Sequence, residues 1–170
     1  MPRRTVPFDR ILAPGHPVGK ATRGVAYREA AEDAYDGSLD PGERDAVFEI
    51  AALMATVSGP LSLDEANALG DLVSHLQGEA ASMTDVGQLL RAAERRRGKE
   101  TVEERVRGLA AVLKRRVVRE LAYKAAYAIR VSDLEANDAE ADLDALLVET
   151  LDIADSAGEL ASQVNEALMD

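Results

Sequence analysis

Carboxylates gathered at the corners between helical segments are the residues whose types and spacing could do chemistry here, and that chemistry would be cation binding. The stretch Glu32-Asp33-Ala34-Tyr35-Asp36-Gly37-Ser38-Leu39-Asp40-Pro41-Gly42-Glu43 overlays a calcium loop. Glycine falls sixth, an aliphatic residue eighth, aspartate ninth and glutamate twelfth, which makes Asp36, Asp40 and Glu43 candidate ligands. Position three is Ala34, so one oxygen is lost. A second set, Asp133, Glu135, Asp138 and Glu140, places four acids within eight residues, with Asp142 and Asp144 close behind. Like charges this close repel unless a cation or a basic neighbour relieves them. A divalent hard cation, calcium or magnesium, would suit either set. The same residues have a plainer use: Asp36-Gly37 closes one helix, Asp40 and Glu43 cap the next, and the dipole at a helix start favours acids.

A basic block offers a different chemistry. Arg95, Arg96, Arg97, Lys99, Lys114, Arg115, Arg116 and Arg119 lie within 91–130; of these Arg95, Arg96, Arg97, Arg115, Arg116 and Arg119 are the candidate partner contacts. Phosphates would be attracted electrostatically. However, aromatics are missing from the block before Tyr123, the isoelectric point is about 4.7 and no DNA-reading motif is present, which argues against nucleic acid. An acidic protein surface, anionic lipid headgroups at a membrane periphery, or the acidic half of the same chain would serve. Catalytic machinery is harder to find. His16 and His75 are the two histidines, and although Asp71 and His75 lie one turn apart, neither H-E-x-x-H nor Glu-x-x-His occurs. There is no cysteine to act as nucleophile or thiolate ligand, and no ordered Ser/His/Asp motif. The phrase RILAPGHPVGK has Pro14 where a phosphate loop needs glycine and Ala21 where it needs a hydroxyl. The expectation is a protein that is not an enzyme.

The elements that must position these groups read as helices. Of 170 residues 46% are hydrophobic but only 4% aromatic, and the apolar mass is Ala, Leu and Val, a mixture that suits close-packed helices. Residues 1–24 hold four of the six prolines and read as an extended basic arm, with the helical domain occupying 25–170. Start signals follow one another: Asp40-Pro41-Gly42-Glu43, Ser62 with Glu65, Thr84, Thr101 with Glu104, Asn137 with Glu140, and Ser156 with Glu159. With a first helix over 26–35 and a long one over 116–129, the chain is expected to be all-α, seven to eight helices in a compact bundle. Charge is sorted along it, +4 over 1–24, −11 over 25–90, +8 over 91–130 and −12 over 131–170, and blocks of opposite sign attract across a fold. No apolar run approaches the roughly 20 residues of a membrane span, and the N-terminus has no secretory apolar core. With no cysteine, a cytoplasmic protein is expected.

Three corners share one eight-residue shape: DGSLDPGE (36–43), SGPLSLDE (58–65) and DLEANDAE (133–140). The second and third each follow an Ala-rich apolar segment, IAALMATV and KAAYAIRV, and precede a Leu-bearing one, so a helical hairpin is doubled about 75 residues apart. This pattern resembles the TerB family of tellurite-resistance-associated domains, whose signature is an apolar helix, A-D-G-x-[ILV]-x-x-x-E and a second helix, present twice. The resemblance covers about 46–168; Gly59, Glu65, Asp133 and Glu140 match it, while Ser58 and Leu134 stand where aspartate and glycine are expected. It implies an all-α fold of roughly seven helices, an acidic cluster proposed to hold metal ions, a place in chemical-stress and membrane-linked complexes, and no enzymatic role. The resulting expectation is a helical binding or scaffold module of the TerB-like stress-response type, with a divalent cation at its acidic corners. The alternatives are a structural subunit that docks through arm 1–24, or nucleic-acid binding through 91–130.

Overall fold

Caps and apolar stripes resolve, in a computed structural model that describes residues 5–15, 18, 35–132 and 137–169, into eight helices among those residues. They are α1 (Phe8–Ile11), α2 (Pro41–Thr56), α3 (Leu63–Gln77), α4 (Met83–Arg97), α5 (Val102–Val112), α6 (Arg116–Ser132), α7 (Asp138–Thr150) and α8 (Ala157–Met169). The fold class expected from the sequence is the one observed. A single antiparallel bridge, Gly15 to Tyr35, is the extended pairing found among the described residues. None of these helices is long and apolar enough to cross a membrane.

The helix starts follow the side chains. At α2 the Asp40 carboxylate accepts from the Glu43 N–H at 2.8 Å and Glu43 Oε1 accepts from the Asp40 N–H at 3.1 Å, so two backbone donors left over at the helix start are satisfied reciprocally. Ser62 and Glu65 do the same for α3. Thr101 accepts from the Glu104 N–H, and the Asn137 side chain accepts from the Ala139 and Glu140 N–H groups. Two expected caps are corrected. Thr84 lies inside α4, which is capped two residues earlier because Ser82 and Asp85 form the reciprocal pair. The Ser156 hydroxyl donates to the Ile153 carbonyl at 3.3 Å and is buried. Gly78, at φ 76°, closes α3 in the left-handed conformation that costs glycine nothing.

The arm differs from its expectation. Prolines forbid a helix interior, but Pro7 sits at the position where a helix begins, and one turn, α1, follows it. Phe8, Ile11 and Leu12 are buried and belong to the same core cluster that runs through to Val164. Burying a side chain of this size stabilises a fold by about 1.5–3 kcal/mol, which outweighs the fraying tendency of a single turn. The Val6 N–H donates to Asp71 Oδ2 at 2.9 Å and the Val18 N–H to Glu120 Oε1 at 2.8 Å, tying the described part of the arm to α3 and α6. The helix expected over 26–35 lies outside the described residues except for Tyr35.

The centre of the bundle is α2 against α6, with α3 and α7 each touching both of them. Eleven of the sixteen residues of α2 and ten of the seventeen of α6 are buried. Ala51, Ala55, Ala122 and Ala125 have no exposed surface, and such small side chains let helix axes approach closely. The helices that flank the second and third shared corners touch each other, α2 with α3 and α6 with α7. Around this centre, α5 lies against α2 and α7, α8 against α6, and α4 against α3 and α2.

Candidate functional site

The first acidic corner is committed to holding the helices together. Asp36 is exposed, and its Oδ1 accepts from the Ser38 N–H at 3.0 Å and the Ser38 hydroxyl at 2.7 Å, bonds that hold its carboxyl below the usual range. Asp40 caps α2. Glu43 is buried, and besides its cap bond it receives Arg115 Nη2 on Oε1 at 2.8 Å and Arg115 Nε on Oε2 at 3.0 Å. The carboxylate that a calcium loop would use for bidentate ligation already faces a guanidinium fork.

At the second acidic set, Asp133 and Glu135 lie outside the described residues. Asp138 is exposed at the first position of α7 while Glu140 is buried, within 3.5 Å of the Ser58 hydroxyl. Asp144 accepts from the Tyr123 hydroxyl at 3.0 Å and pairs with Arg130 at 3.5 Å. Burial and that carboxylate push the Tyr123 phenol far above its ordinary value. Among the described residues no three His, Cys, Asp or Glu side chains converge as a metal site. Asp71 and His75 also separate in role, since Asp71 Oδ2 receives the Val6 N–H while burial pushes the His75 imidazole down against the opposing pull of Asp9.

The basic block folds onto the chain's own acceptors. Arg115 engages Glu43; Arg116 reaches Glu120, Asp155 and the Ser156 hydroxyl; Arg119 Nη1 donates to the Leu151 carbonyl at 3.0 Å. Arg96 pairs with Glu49, and Arg97 Nε donates to the Glu100 carbonyl at 3.1 Å. Arg95 alone of the six candidates is exposed with no such bond described. The opposite charge blocks have met each other, as their signs demand.

A different place combines concavity, apolar walls and fixed charge. Glu49 is 3% exposed in the middle of α2, and a carboxylate removed from water requires partners. It has two. Arg105 of α5 donates through Nε to Oε2 at 2.9 Å and through Nη2 to Oε2 at 2.7 Å, while Arg96 of α4 reaches Oε1. One buried carboxylate thus ties α4 and α5 to α2. Above it opens a cleft of about 430 Å³, walled by Ala52 and Leu53 of α2, the turn Gly59-Pro60-Leu61, Leu90 and Ala93 of α4, and edged by Glu94, Arg97 and Arg105. That volume falls in the range of small-ligand sites, roughly 300–1,000 Å³. On the other side of α4, Phe48, Val73, Leu76 and Leu89 line a smaller cleft of about 240 Å³ with Arg44 and Arg96 at its rim.

Sequence reading placed Arg96 and Arg97 among the contacts but missed Glu49 and Arg105. The available signal was a single charge inside the apolar run VFEIAALM, which predicts a buried ion partner without naming it. Elsewhere, burial pushes the Lys124 amine down despite Glu120 beside it, in a niche of about 30 Å³ under the arm. Comparison with family models finds no match, and comparisons with curated proteins and with solved structures find none either.

Proposed function

We propose that this chain is a non-enzymatic helical binding module, and that its binding site is the cleft bounded by α2, α4 and α5. One observation carries the reading: a ligand-sized concavity with both apolar and charged walls sits over a desolvated carboxylate that fixes two arginines, whereas Glu43 and most of the basic block are already engaged inside the fold. Glu49 accepts from both arginines, so its carboxylate is engaged within the fold, and a guanidinium has no lone pair to offer as a general base. The groups of the cleft suit recognition better than proton transfer.

Kinship with TerB-like domains, and with it a stress-response role, is part of the same proposal and rests on the corner motif and the paired hairpins α2–α3 and α6–α7. A cation at the corners is not needed for it. The docking-arm alternative has less support, because Phe8, Ile11 and Leu12 fill the chain's own core. Removing residues 1–24 would therefore unsettle the fold along with any assembly.

The test uses anilinonaphthalene sulfonate, an apolar anion whose fluorescence rises in such sites. The wild-type protein should enhance it, and Ala93→Trp, which fills the cleft from a half-buried position, should abolish the enhancement with the far-UV circular dichroism unchanged. Equal enhancement by both proteins would overturn the assignment of the site.

A further inference from the structure

We infer that the ligand of this cleft is a free apolar α-amino acid, its carboxylate on Arg97, its ammonium on Glu94 and its side chain against Leu53, Leu61 and Leu90. The inference rests on the binding role just proposed and deepens it.

The charges at the cleft divide into two kinds. Arg105 and Arg96 are both aimed at Glu49, so their positive charge is satisfied within the floor. Arg97 is different. Its Nε donates to the Glu100 carbonyl at 3.1 Å, which fixes the guanidinium, while Nη1 and Nη2 have no acceptor among the described residues. A fixed guanidinium with open terminal N–H groups is the geometry that receives a carboxylate through two parallel hydrogen bonds. Glu94 stands three residues earlier on the same helix and also lines the cleft, and its carboxylate has neither an ion pair nor a hydrogen bond among the described residues.

Residues three apart on a helix have Cβ atoms roughly 5–6 Å apart, so the ends of Arg97 and Glu94 can reach adjacent groups of one small molecule. They are nevertheless not paired with each other. A simple carboxylic acid would satisfy Arg97 and be opposed by Glu94, and a simple amine would meet the reverse. A zwitterion answers both. Of the remaining lining, Leu53, Leu61, Leu90 and Ala93 are aliphatic, Thr56 donates its hydroxyl to the Ala52 carbonyl, and Glu49 and Arg105 are turned to each other, so an apolar side chain fits best. A volume of about 430 Å³ accommodates an aromatic or branched aliphatic side chain together with its polar head.

The experiment titrates the full-length protein by NMR with phenylalanine, N-acetylphenylalanine and phenylalaninamide. Phenylalanine should bind best, with shifts centred on α4 and the 59–61 turn. Arg97→Gln should weaken it about ten-fold or more, the loss expected when hydrogen bonds to a charged group are removed. Arg97→Lys, which keeps the charge and loses the fork, should fall between. Glu94→Gln should weaken phenylalanine and strengthen N-acetylphenylalanine. Both side chains are at the surface, so circular dichroism should report intact folds. Binding of N-acetylphenylalanine or phenylalaninamide as tight as that of phenylalanine overturns the inference, as does an Arg97→Gln protein with unchanged affinity. If no probe binds although Ala93→Trp removes the anilinonaphthalene signal, the amino-acid assignment falls and the binding site stands. If that signal is absent too, both fall.

Discussion

Two long helices of similar length, α6 and α4, are used in opposite ways. Ten of the seventeen residues of α6 are buried, and its alanines sit against α2 with no surface left. Of the fifteen residues of α4 only Val86 is buried; Leu89 and Leu90 are half-buried, each facing a cleft on its own side of the helix. The first helix is held by packing along its length. The second is held by Val86 near its start, by Leu89 and Leu90 packed part-exposed against the core, and by Arg96 reaching Glu49 near its end. Elements with few buried contacts open at low free energy, and binding surfaces are drawn from them. The contrast separates the part of the molecule that makes the fold from the part that is available for recognition.

The contrast can be broken at several strengths. Ile129→Ala, which opens a void on the packed face of α6, should destabilise the protein by about 2–5 kcal/mol, while Leu90→Ala on α4 should cost far less; thermal melts that ranked them equally would remove the distinction. Glu49→Leu comes next, at about 3 kcal/mol, toward the lower end for a broken buried ion pair because Arg96 is 43% exposed and can turn to water. Its sharper signature is local: amide hydrogen exchange should accelerate in α4 and α5 more than in α6. Uniform acceleration would mean that Glu49 supports the whole bundle and not the cleft.

A smaller effect is expected with pH. Burial holds the His75 pKa below its ordinary 6.5, so the unfolded chain takes up a proton that the folded chain refuses. Stability from this residue is therefore unaffected above pH 6.5 and falls as pH drops through it, and denaturant titrations of His75→Gln should show a flatter profile. The smallest expected effect is at the first acidic corner. Because Glu43 is occupied by Arg115, an Asp36→Asn, Asp40→Asn pair should leave the calorimetric response to calcium unchanged from wild type. A calcium-dependent heat lost in that pair would restore the corner as a cation site.

The legible parts of the fold were those governed by neighbours in sequence. The Asp40–Glu43 and Ser62–Glu65 pairs lie three residues apart, and the caps they announce are present at hydrogen-bond distance. Thr84 misled because its hydroxyl is as good a cap as that of Ser82, and only the reciprocal bond from Asp85 decides between them. The arm misled because prolines report the cost of a helix and say nothing of the core that Phe8 and Ile11 can enter. The cleft was illegible for a stronger reason. Glu49 and Arg105 are 56 residues apart, and nothing local to either encodes their meeting. Charge sorting offered the acidic half of the same chain as one of several partners for the 91–130 block, but net charge alone could not choose among them.

The tie between Val18 and Glu120 spans 102 residues. During synthesis on the ribosome, the face of α2 that packs on α6 likewise has no partner until α6 has been made, with α3, α4 and α5 produced in the interval. A helical bundle whose central pair is separated by three intervening helices has a higher contact order than one built from neighbours, and loop closure slows its folding accordingly. Until α6 arrives, the alanines of α2 that it will cover, Ala51 and Ala55 among them, lack that neighbour.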